Sequence, residues 1–92
     1  MSRDQRRYRE IYMSHFGYGE QDYVPSEISG LPMDHVHHIV WRSQGGTDDI
    51  TNLIALTSKE HEQVHGLRKP FIAEKRLHKI HTRFLESREL LS

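Results

Sequence analysis

The sequence predicts a small α+β domain, in which two short strands and a helix at the centre are flanked by an N-terminal and a C-terminal helix. Ninety-two residues suit one domain, residues 1–92, with a small core. Two short runs rich in apolar residues, "MDHVHHIV" and "NLIAL", are typical of strands. Helix-start signals at Ser2 and Thr57 precede stretches with helical character.

The N-terminal helix is expected over about residues 3–16. Ser2 can cap its first turn, and Gly17 can end it. Aromatic and apolar side chains recur along it at helical spacing: Tyr8, Ile11 and Tyr12. The next stretch, "GYGEQDYVPSEISGLP", is rich in Gly, Pro and Ser and therefore predicts turns.

The centre of the chain, about residues 33–66, holds the two strands, the loop between them and a short helix. Gly45 and Gly46 are expected to supply the loop with backbone angles that other residues avoid. Thr57 begins a capping box whose second member is Glu60. The short helix should follow this box at once.

The C-terminal helix is expected over about residues 70–90, opened by Pro70. Its apolar side chains form one stripe: Phe71, Leu77, Ile80, Phe84 and Leu85. The basic side chains of this part of the chain lie outside that stripe: Lys69, Lys75, Arg76, Lys79, Arg83 and Arg88. They either bind a polyanion or form an ordinary solvated helix face.

Charge is distributed unevenly along a chain whose formal net charge is zero. Residues 1–12 hold four Arg against two acids, and residues 66–92 hold seven basic residues against three acids. Residues 13–65 hold two basic residues against eight acids. Basic ends can bind a polyanion, but the acidic middle would repel it unless cations are bound there.

Cysteine and long apolar segments are both absent from the sequence. The chain therefore offers neither disulfides nor thiolate ligands, and it predicts no membrane-spanning helix. Its polar N-terminus predicts no signal peptide, so we expect a cytoplasmic protein. The mean hydropathy of −0.77 is polar for a folded domain, which favours a bound metal ion as a further source of stability.

Histidines carry the strongest chemical signal. His61 and His65 are four residues apart and share one face of the predicted helix, where two imidazoles can hold one metal ion. Such a pair alone more often belongs to a solvated helix face. His37 and His38 stand in the first strand, thirteen residues separate this pair from Asn52, and eight residues then separate that Asn from the helical pair. Three imidazoles can hold one ion and leave open the coordination position that a catalytic metal needs.

The order of these residues resembles that of the HNH endonucleases, also called the ββα-metal or His-Me finger group. The likeness covers about Pro25 to Gly66 and includes "HHIVWRSQGGTDDITNLIALTSKEHEQVH". This His-rich form is similar to the nuclease domain of the DNase colicins and to small stand-alone phage proteins. The resemblance implies a ββα-metal finger that nicks DNA with low specificity, leaves 5′-phosphate and 3′-hydroxyl ends, and acts in the cytoplasm of a bacterium or phage-infected host.

The resemblance also implies a role for each matching residue. His38 is the general base, and Asn52 braces the loop behind it by hydrogen bonds. His37, His61 and His65 are the ligands of one divalent metal ion. Mg²⁺ or Mn²⁺ is expected in turnover, and Zn²⁺ or Ni²⁺ is expected to bind as well. DNA is the expected partner of a chain that is a monomer or a homodimer.

One departure from the family pattern concerns a second metal. Many small members carry two Cys-x-x-Cys pairs that bind a structural zinc, and these pairs would fall at Ser26-x-x-Ser29 and Thr57-x-x-Glu60. Hydroxyls do not replace thiolates as zinc ligands, so we expect no structural zinc. Packing of the terminal helices on the finger should supply the frame instead.

Three alternatives stay open. A binding module that does not cut nucleic acid could hold a closed zinc site of four histidines: His35, His37, His61 and His65. A ribonuclease of the same fold fits the same residues. Finally, Asp34 and His35 could replace the assigned ligand and base of the first strand.

The other residues of interest have less specific expectations. His35 and Asp34 are expected to support the site or to contact DNA, and Arg42 either contacts a phosphate or is a solvated loop residue. Trp41 is expected to pack against the finger helix. Three histidines without a spacing partner are expected to be surface or helix residues that can contact DNA: His15, His78 and His81. The side chains expected to contact phosphates are Lys69, Lys75, Arg76, Lys79 and Arg83.

His37 and His38 pose a geometric question, because alternation along a strand sends neighbouring side chains to opposite faces. Both must nevertheless serve one phosphate. We therefore expect the chain to twist or bend at this end of the strand, next to the loop that Asn52 braces.

Overall fold

Helices surround a small sheet in the computed structural model, which describes residues 2–91, with side chains up to residue 89. This arrangement confirms the predicted α+β class and the ββα finger flanked by helices. The elements of the described part are α1 (Arg3–His15), β1 (His35–His38), β2 (Leu53–Leu56), α2 (Ser58–Val64) and α3 (Glu74–Leu91). None of the described helices is both long enough and apolar enough to cross a membrane.

The two strands pair antiparallel, with His35 opposite Leu56 and His38 opposite Leu53. Because side chains alternate along a strand, each face of the sheet builds its own core. The first core joins the sheet to α2 and α3: Ile39, Ile54, Leu56, Val64, Ile72 and Leu77. The second core joins the sheet to α1: Tyr12, Val24, Val36, Leu53 and Ala55. The sheet thus lies between α1 on one side and α2 with α3 on the other.

Both predicted helix starts in the first two thirds of the chain are confirmed. Ser2 caps α1 through a capping box, in which its hydroxyl accepts from the Gln5 amide and the Gln5 side chain accepts from the Ser2 amide. Thr57 and Glu60 form the expected capping box of α2. Reciprocal bonds of this kind satisfy amides that a helix start otherwise leaves free, which is why both helices begin where they do.

Glu60 has a second task beside capping. Its buried carboxylate also accepts a hydrogen bond from the Ser26 hydroxyl, and that hydroxyl accepts from the Ser29 amide. Burial raises the pKa of Glu60, but the bonds from Ser26 and from the Thr57 amide outweigh burial and hold the pKa below its usual value. The positions at which some HNH proteins carry zinc-binding cysteines are therefore joined here by hydrogen bonds.

The expected start of the last helix at Pro70 is wrong, because α3 begins at Glu74. Before α3 the chain runs back across α2, and the Ile72 amide donates to the Gln63 carbonyl at 3.2 Å. This path buries Ile72 in the first core and leaves Phe71 62% exposed, so Phe71 is not part of the apolar stripe. Burial of a whole isoleucine side chain is worth about 1.5–3 kcal/mol, enough to override a local preference for an earlier helix start.

His81 lies on α3, as one of the two expectations has it, but it is not at the surface, since its side chain is 1% exposed. Its Nδ1 lies 2.8 Å from Glu27 Oε1, and its Nε2 lies 2.6 Å from the Ile50 carbonyl oxygen. Both partners only accept hydrogen bonds, so the ring satisfies both by carrying a proton on each nitrogen. The Tyr12 hydroxyl donates to Glu27 Oε2 at 2.7 Å. This buried network ties α1 and α3 to the finger, where sequence reasoning expects the terminal helices to provide the frame.

We expect this network to make stability depend on pH. Burial lowers the pKa of His81, but the hydrogen bond and charge of Glu27 outweigh burial and raise the pKa above its usual value near 6.5. A raised folded-state pKa means that the contribution is complete below pH 6.5 and is lost as pH rises through the folded-state pKa. Urea unfolding in EDTA should therefore show stability falling above pH 6.5 for the native chain, whereas His81→Gln should show little change there. An equal slope in both chains would contradict the imidazolium assignment.

Candidate active site and metal centre

Three imidazoles meet where β1 faces α2. His37 comes from β1, His61 from α2, and His65 directly follows the last residue of α2. One ring nitrogen of each lies within 4.8 Å of the others, and the Nε2 atoms of the two helical histidines are 3.3 Å apart. Ligand atoms held about 2.1 Å from a tetrahedral zinc would be about 3.4 Å from one another, so this pair already has the required spacing.

The environment of His37 tests whether a metal fits this cluster. Its Nε2 is buried and has no hydrogen-bond partner among the described residues. Burial, followed by the neighbouring His61 and His65, lowers the pKa of His37 to about 3. Burial and His65 lower the pKa of His61 as well. Neutral imidazoles with free nitrogen lone pairs are the form that binds metal, and a buried unsatisfied nitrogen costs about 1–3 kcal/mol without one. The three residues therefore fit one divalent cation.

Trp41 covers one side of this cluster. Its ring packs on that of His65 with centroids 5.0 Å apart and planes 32° apart, while the side chain stays partly exposed. This contact matches the expectation that Trp41 packs against the finger helix. It also limits the rotation of the His65 ring.

His38 lies on the other face of the sheet. Its Nε2 is 2.7 Å from Asp48 Oδ1, and its ring meets the Tyr8 ring edge-on at a centroid distance of 4.5 Å. Nε2 is therefore occupied, and Nδ1 has no hydrogen-bond partner within residues 2–89. An imidazole held in this way can accept a proton at Nδ1.

Asp48 is the site residue that sequence reasoning misses. The hydrogen bond from His38 lowers the pKa of Asp48, and the guanidinium of Arg42 lowers it further, so Asp48 is a carboxylate near neutral pH. Arg42 lies 3.6 Å from Asp48 and 3.4 Å from Asp4. Arg42 is thus paired with two carboxylates and is not a fully solvated loop residue. The only sequence signal for Asp48 is an acidic residue within a loop between the paired histidines and Asn52.

Asn52 makes the hydrogen bonds that a bracing residue needs. Its Oδ1 accepts from the Val40 amide at 2.7 Å, and its Nδ2 donates to the carbonyls of Val40 at 3.0 Å and Thr47 at 2.8 Å. Its side chain therefore joins both ends of the loop after β1. Since Thr47 directly precedes Asp48, this brace also fixes the backbone that carries the partner of His38.

Gly46 should be the less replaceable glycine of this loop. Gly45 has a φ of +88°, as expected, and the space around it is open. A Cβ on Gly46 would lie 1.8 Å from the Val40 carbonyl oxygen. We expect Gly45→Ala to cost about 1–2 kcal/mol through backbone strain. Gly46→Ala should cost about 3 kcal/mol or more, because the backbone itself must move.

Urea unfolding of the two variants checks this ranking, because each adds one methyl group to the same loop. Equal costs, or a larger cost at Gly45, would contradict the close approach to Val40.

Asp34, directly before β1, and His35, its first residue, both contact Ser58. The Asp34 carboxylate accepts from the Ser58 amide at 2.7 Å, which ties it to the start of α2. His35 is exposed, with its Nε2 3.3 Å from the Ser58 hydroxyl and its ring 4.9 Å from that of His61. Neither joins the cluster of nitrogen atoms suited to a metal within the described residues. His35 is thus a neighbour of the cluster, and the alternative pairing of Asp34 with His35 gains no support.

The bend expected at this end of the strand lies directly after His38. The strand is regular through His38 and bends at Ile39–Val40. His37 contacts the rings of α2 and His38 contacts α1, as plain alternation dictates. The expected bend is present, and the two rings nevertheless stay on opposite faces of the sheet. The two rings approach the end of β1 from its two faces.

The basic residues of the C-terminal region divide into two groups. Five side chains are exposed: Lys69, Lys75, Arg76, Lys79 and Arg83. Arg88 instead donates to the Tyr18 hydroxyl at 2.8 Å and packs over the Phe84 ring, so it holds α3 against the turn after α1. The exposed five remain available to a polyanion.

A two-stranded sheet and a helix that bring three imidazoles together, with a braced fourth imidazole on the strand, define a ββα-metal finger. Residues 24–66 match the model of the HNH endonuclease family. The match confirms the resemblance that the histidine and asparagine spacing predicts.

Two curated relatives come from Enterobacteria phage T4. "Probable mobile endonuclease C" is 53% identical over 32 residues, which are 35% of this chain and 15% of that protein. "Probable mobile endonuclease B" is 59% identical over 31 residues, which are 34% of this chain and 12% of that protein. The matches thus span less than a sixth of each relative. No solved structure matches the chain at a significant level.

Proposed function

We propose that the chain is a metal-dependent endonuclease that hydrolyses phosphodiester bonds in DNA, nicks with low specificity, and leaves 5′-phosphate and 3′-hydroxyl ends. One observation carries the proposal: a buried, unpartnered His37 Nε2 within a cluster of three imidazoles stands next to His38, whose ring has one nitrogen anchored and one free. A metal site that only stabilises the fold does not require a neighbouring histidine with one ring nitrogen anchored and the other free. The match to the HNH endonuclease family supports the same reaction.

His37, His61 and His65 would hold the divalent ion, Mg²⁺ or Mn²⁺ in turnover, with Zn²⁺ or Ni²⁺ as further occupants. When bound, the ion supplies a Lewis acid that stabilises negative charge on the phosphate. His38 accepts a proton at Nδ1 from the water that attacks phosphorus. The phosphate lies across the end of β1, where the faces of His37 and His38 meet.

The rest of the chain would bind the DNA backbone. Exposed basic side chains of the C-terminal region give affinity without sequence choice: Lys69, Lys75, Arg76, Lys79 and Arg83. Arg42 lies half-exposed beside Asp48, near enough to the base to reach a neighbouring phosphate. The phage relatives favour action in the cytoplasm of an infected host.

Supercoiled plasmid tests this function. Chain stripped of metal with EDTA should leave plasmid intact and should produce open circles after addition of Mg²⁺ or Mn²⁺. Plasmid that stays supercoiled with Mg²⁺, Mn²⁺, Ni²⁺ and Zn²⁺, while the chain binds both Zn²⁺ and DNA, would favour the non-cutting binding module. Cleavage of RNA without any plasmid nicking would favour the ribonuclease.

A further inference from the structure

We infer that Asp48 is a positioning residue for His38, because its carboxylate binds Nε2 and leaves Nδ1 as the nitrogen that faces the reaction. This inference rests on the proposed nuclease function. It assigns a role to a loop residue outside the histidine and asparagine pattern of the finger.

The hydrogen bond between His38 and Asp48 is short and largely buried. Asp48 Oδ1 lies 2.7 Å from His38 Nε2, and the two side chains are 17% and 10% exposed. A hydrogen bond to an ionised acceptor is about twice as strong as one between neutral groups, and shelter from water preserves that strength. A carboxylate can only accept here, so the Nε2 position of the ring carries the proton.

Other residues hold Asp48 in place. Arg42 approaches its second oxygen, Oδ2, at 3.6 Å, which leaves Oδ1 to His38. Asn52 donates to the carbonyl of Thr47, the residue before Asp48. The Tyr8 ring packs edge-on against His38 from α1. The loop, its brace and the first helix thus restrict both partners of the hydrogen bond.

The proton balance follows from this arrangement. Neutral His38 carries its hydrogen on Nε2, so the lone pair of Nδ1 is free. As an O–H bond of the attacking water breaks, an Nδ1–H bond forms, and the new oxygen–phosphorus bond replaces the bond to the 3′ oxygen, which takes a proton from solvent. The ring is then an imidazolium, and the negative charge of Asp48 stabilises it.

Steady-state nicking of Asp48→Ala and Asp48→Asn measures the role. We expect Asp48→Ala to lower kcat by about 10- to 100-fold with KM changed less than about threefold, because the substrate is still bound but the base is misdirected. The kcat of Asp48→Asn should lie between those of the native chain and of Asp48→Ala, because the asparagine amide oxygen can still accept a hydrogen bond from Nε2. Asp49→Asn is the matched control, because Asp49 caps the turn at Ile50–Asn52, where asparagine caps equally well, and does not contact His38.

Long-range proton–nitrogen NMR of the His38 ring gives a readout that does not depend on cutting. At one fixed pH, the native chain should show the Nε2-protonated tautomer, and Asp48→Ala should show a mixture with the Nδ1-protonated form. Thermal unfolding followed by circular dichroism identifies any variant that fails to fold. If Asp48→Ala does not fold, the kcat and the tautomer of Asp48→Asn decide whether the inference holds.

The inference is overturned by a kcat of Asp48→Ala within about twofold of the native value, or by an unchanged tautomer. A higher KM with an unchanged kcat in Asp48→Ala would also overturn it, because Asp48 would then act in DNA binding. If the native chain cuts no DNA, the proposed function fails, and the NMR result still decides whether Asp48 fixes the ring.

Discussion

His38→Ala should lower the rate of plasmid nicking by about 10²- to 10⁴-fold, the contribution typical of a general base. Its ring lies at the end of β1 between Tyr8 and Asp48. Its Nδ1 has no hydrogen-bond partner among the described residues, so this nitrogen is free to accept a proton from water. Metal binding should be retained, because the three candidate ligands are untouched. Loss of cutting with retained metal would separate the base from the metal centre.

Nicking rates and zinc titrations of the same preparations provide this test. His15→Ala is a matched control, since His15 is exposed at the end of α1 and its ring packs on that of Phe16. His38→Gln keeps more of the side-chain volume and guards against a packing defect in the alanine variant. Nicking by His38→Ala at the native rate would show that another group activates water, even though the family assignment would stand.

His61→Ala should weaken zinc binding on the order of 100-fold, since about 10–16 kcal/mol of apparent zinc affinity in four-ligand sites leaves several kcal/mol to each ligand. The Nε2 of His61 faces that of His65 at 3.3 Å, so its loss removes one side of the cluster. Nicking with Mn²⁺ should fall in parallel. Isothermal titration with Zn²⁺ and nicking over a range of Mn²⁺ concentrations measure the two effects.

His35→Ala distinguishes the open site from a closed site of four histidines. Its ring lies 4.9 Å from that of His61 but outside the cluster of nitrogen atoms suited to a metal. We therefore expect its removal to weaken zinc binding far less than His61→Ala does. Equal losses in the two variants would indicate a fourth ligand and would favour the structural zinc site of a binding module.

Local sequence signals predict much of the fold because their partners are close in sequence. The capping boxes at Ser2 and Thr57 each join residues three positions apart, and the apolar character of each short strand lies within that strand. The start of α3 depends instead on tertiary packing. Pro70 is a good first residue for a helix, yet the burial of Ile72 in the first core keeps the residues before Glu74 outside the helix.

Sequence spacing also predicts the metal cluster, because a strand position and a four-residue helical interval fix the directions of His37, His61 and His65. It does not predict Asp48, whose contact with His38 depends on the path of an irregular loop. His81 is a similar case. Its partner Glu27 is 54 positions away, so no periodicity relates the two residues.

Ligation of the nicked product tests the central claim most directly, because one measurement reports metal dependence, hydrolysis and the position of bond cleavage. Plasmid treated with EDTA-stripped chain and Mn²⁺ should become open circles that DNA ligase seals without prior end repair, and the same reaction in EDTA should give none. Nicks that form equally well in EDTA, or that ligase seals only after the ends are repaired, would contradict a metal-dependent endonuclease that leaves 5′-phosphate and 3′-hydroxyl ends.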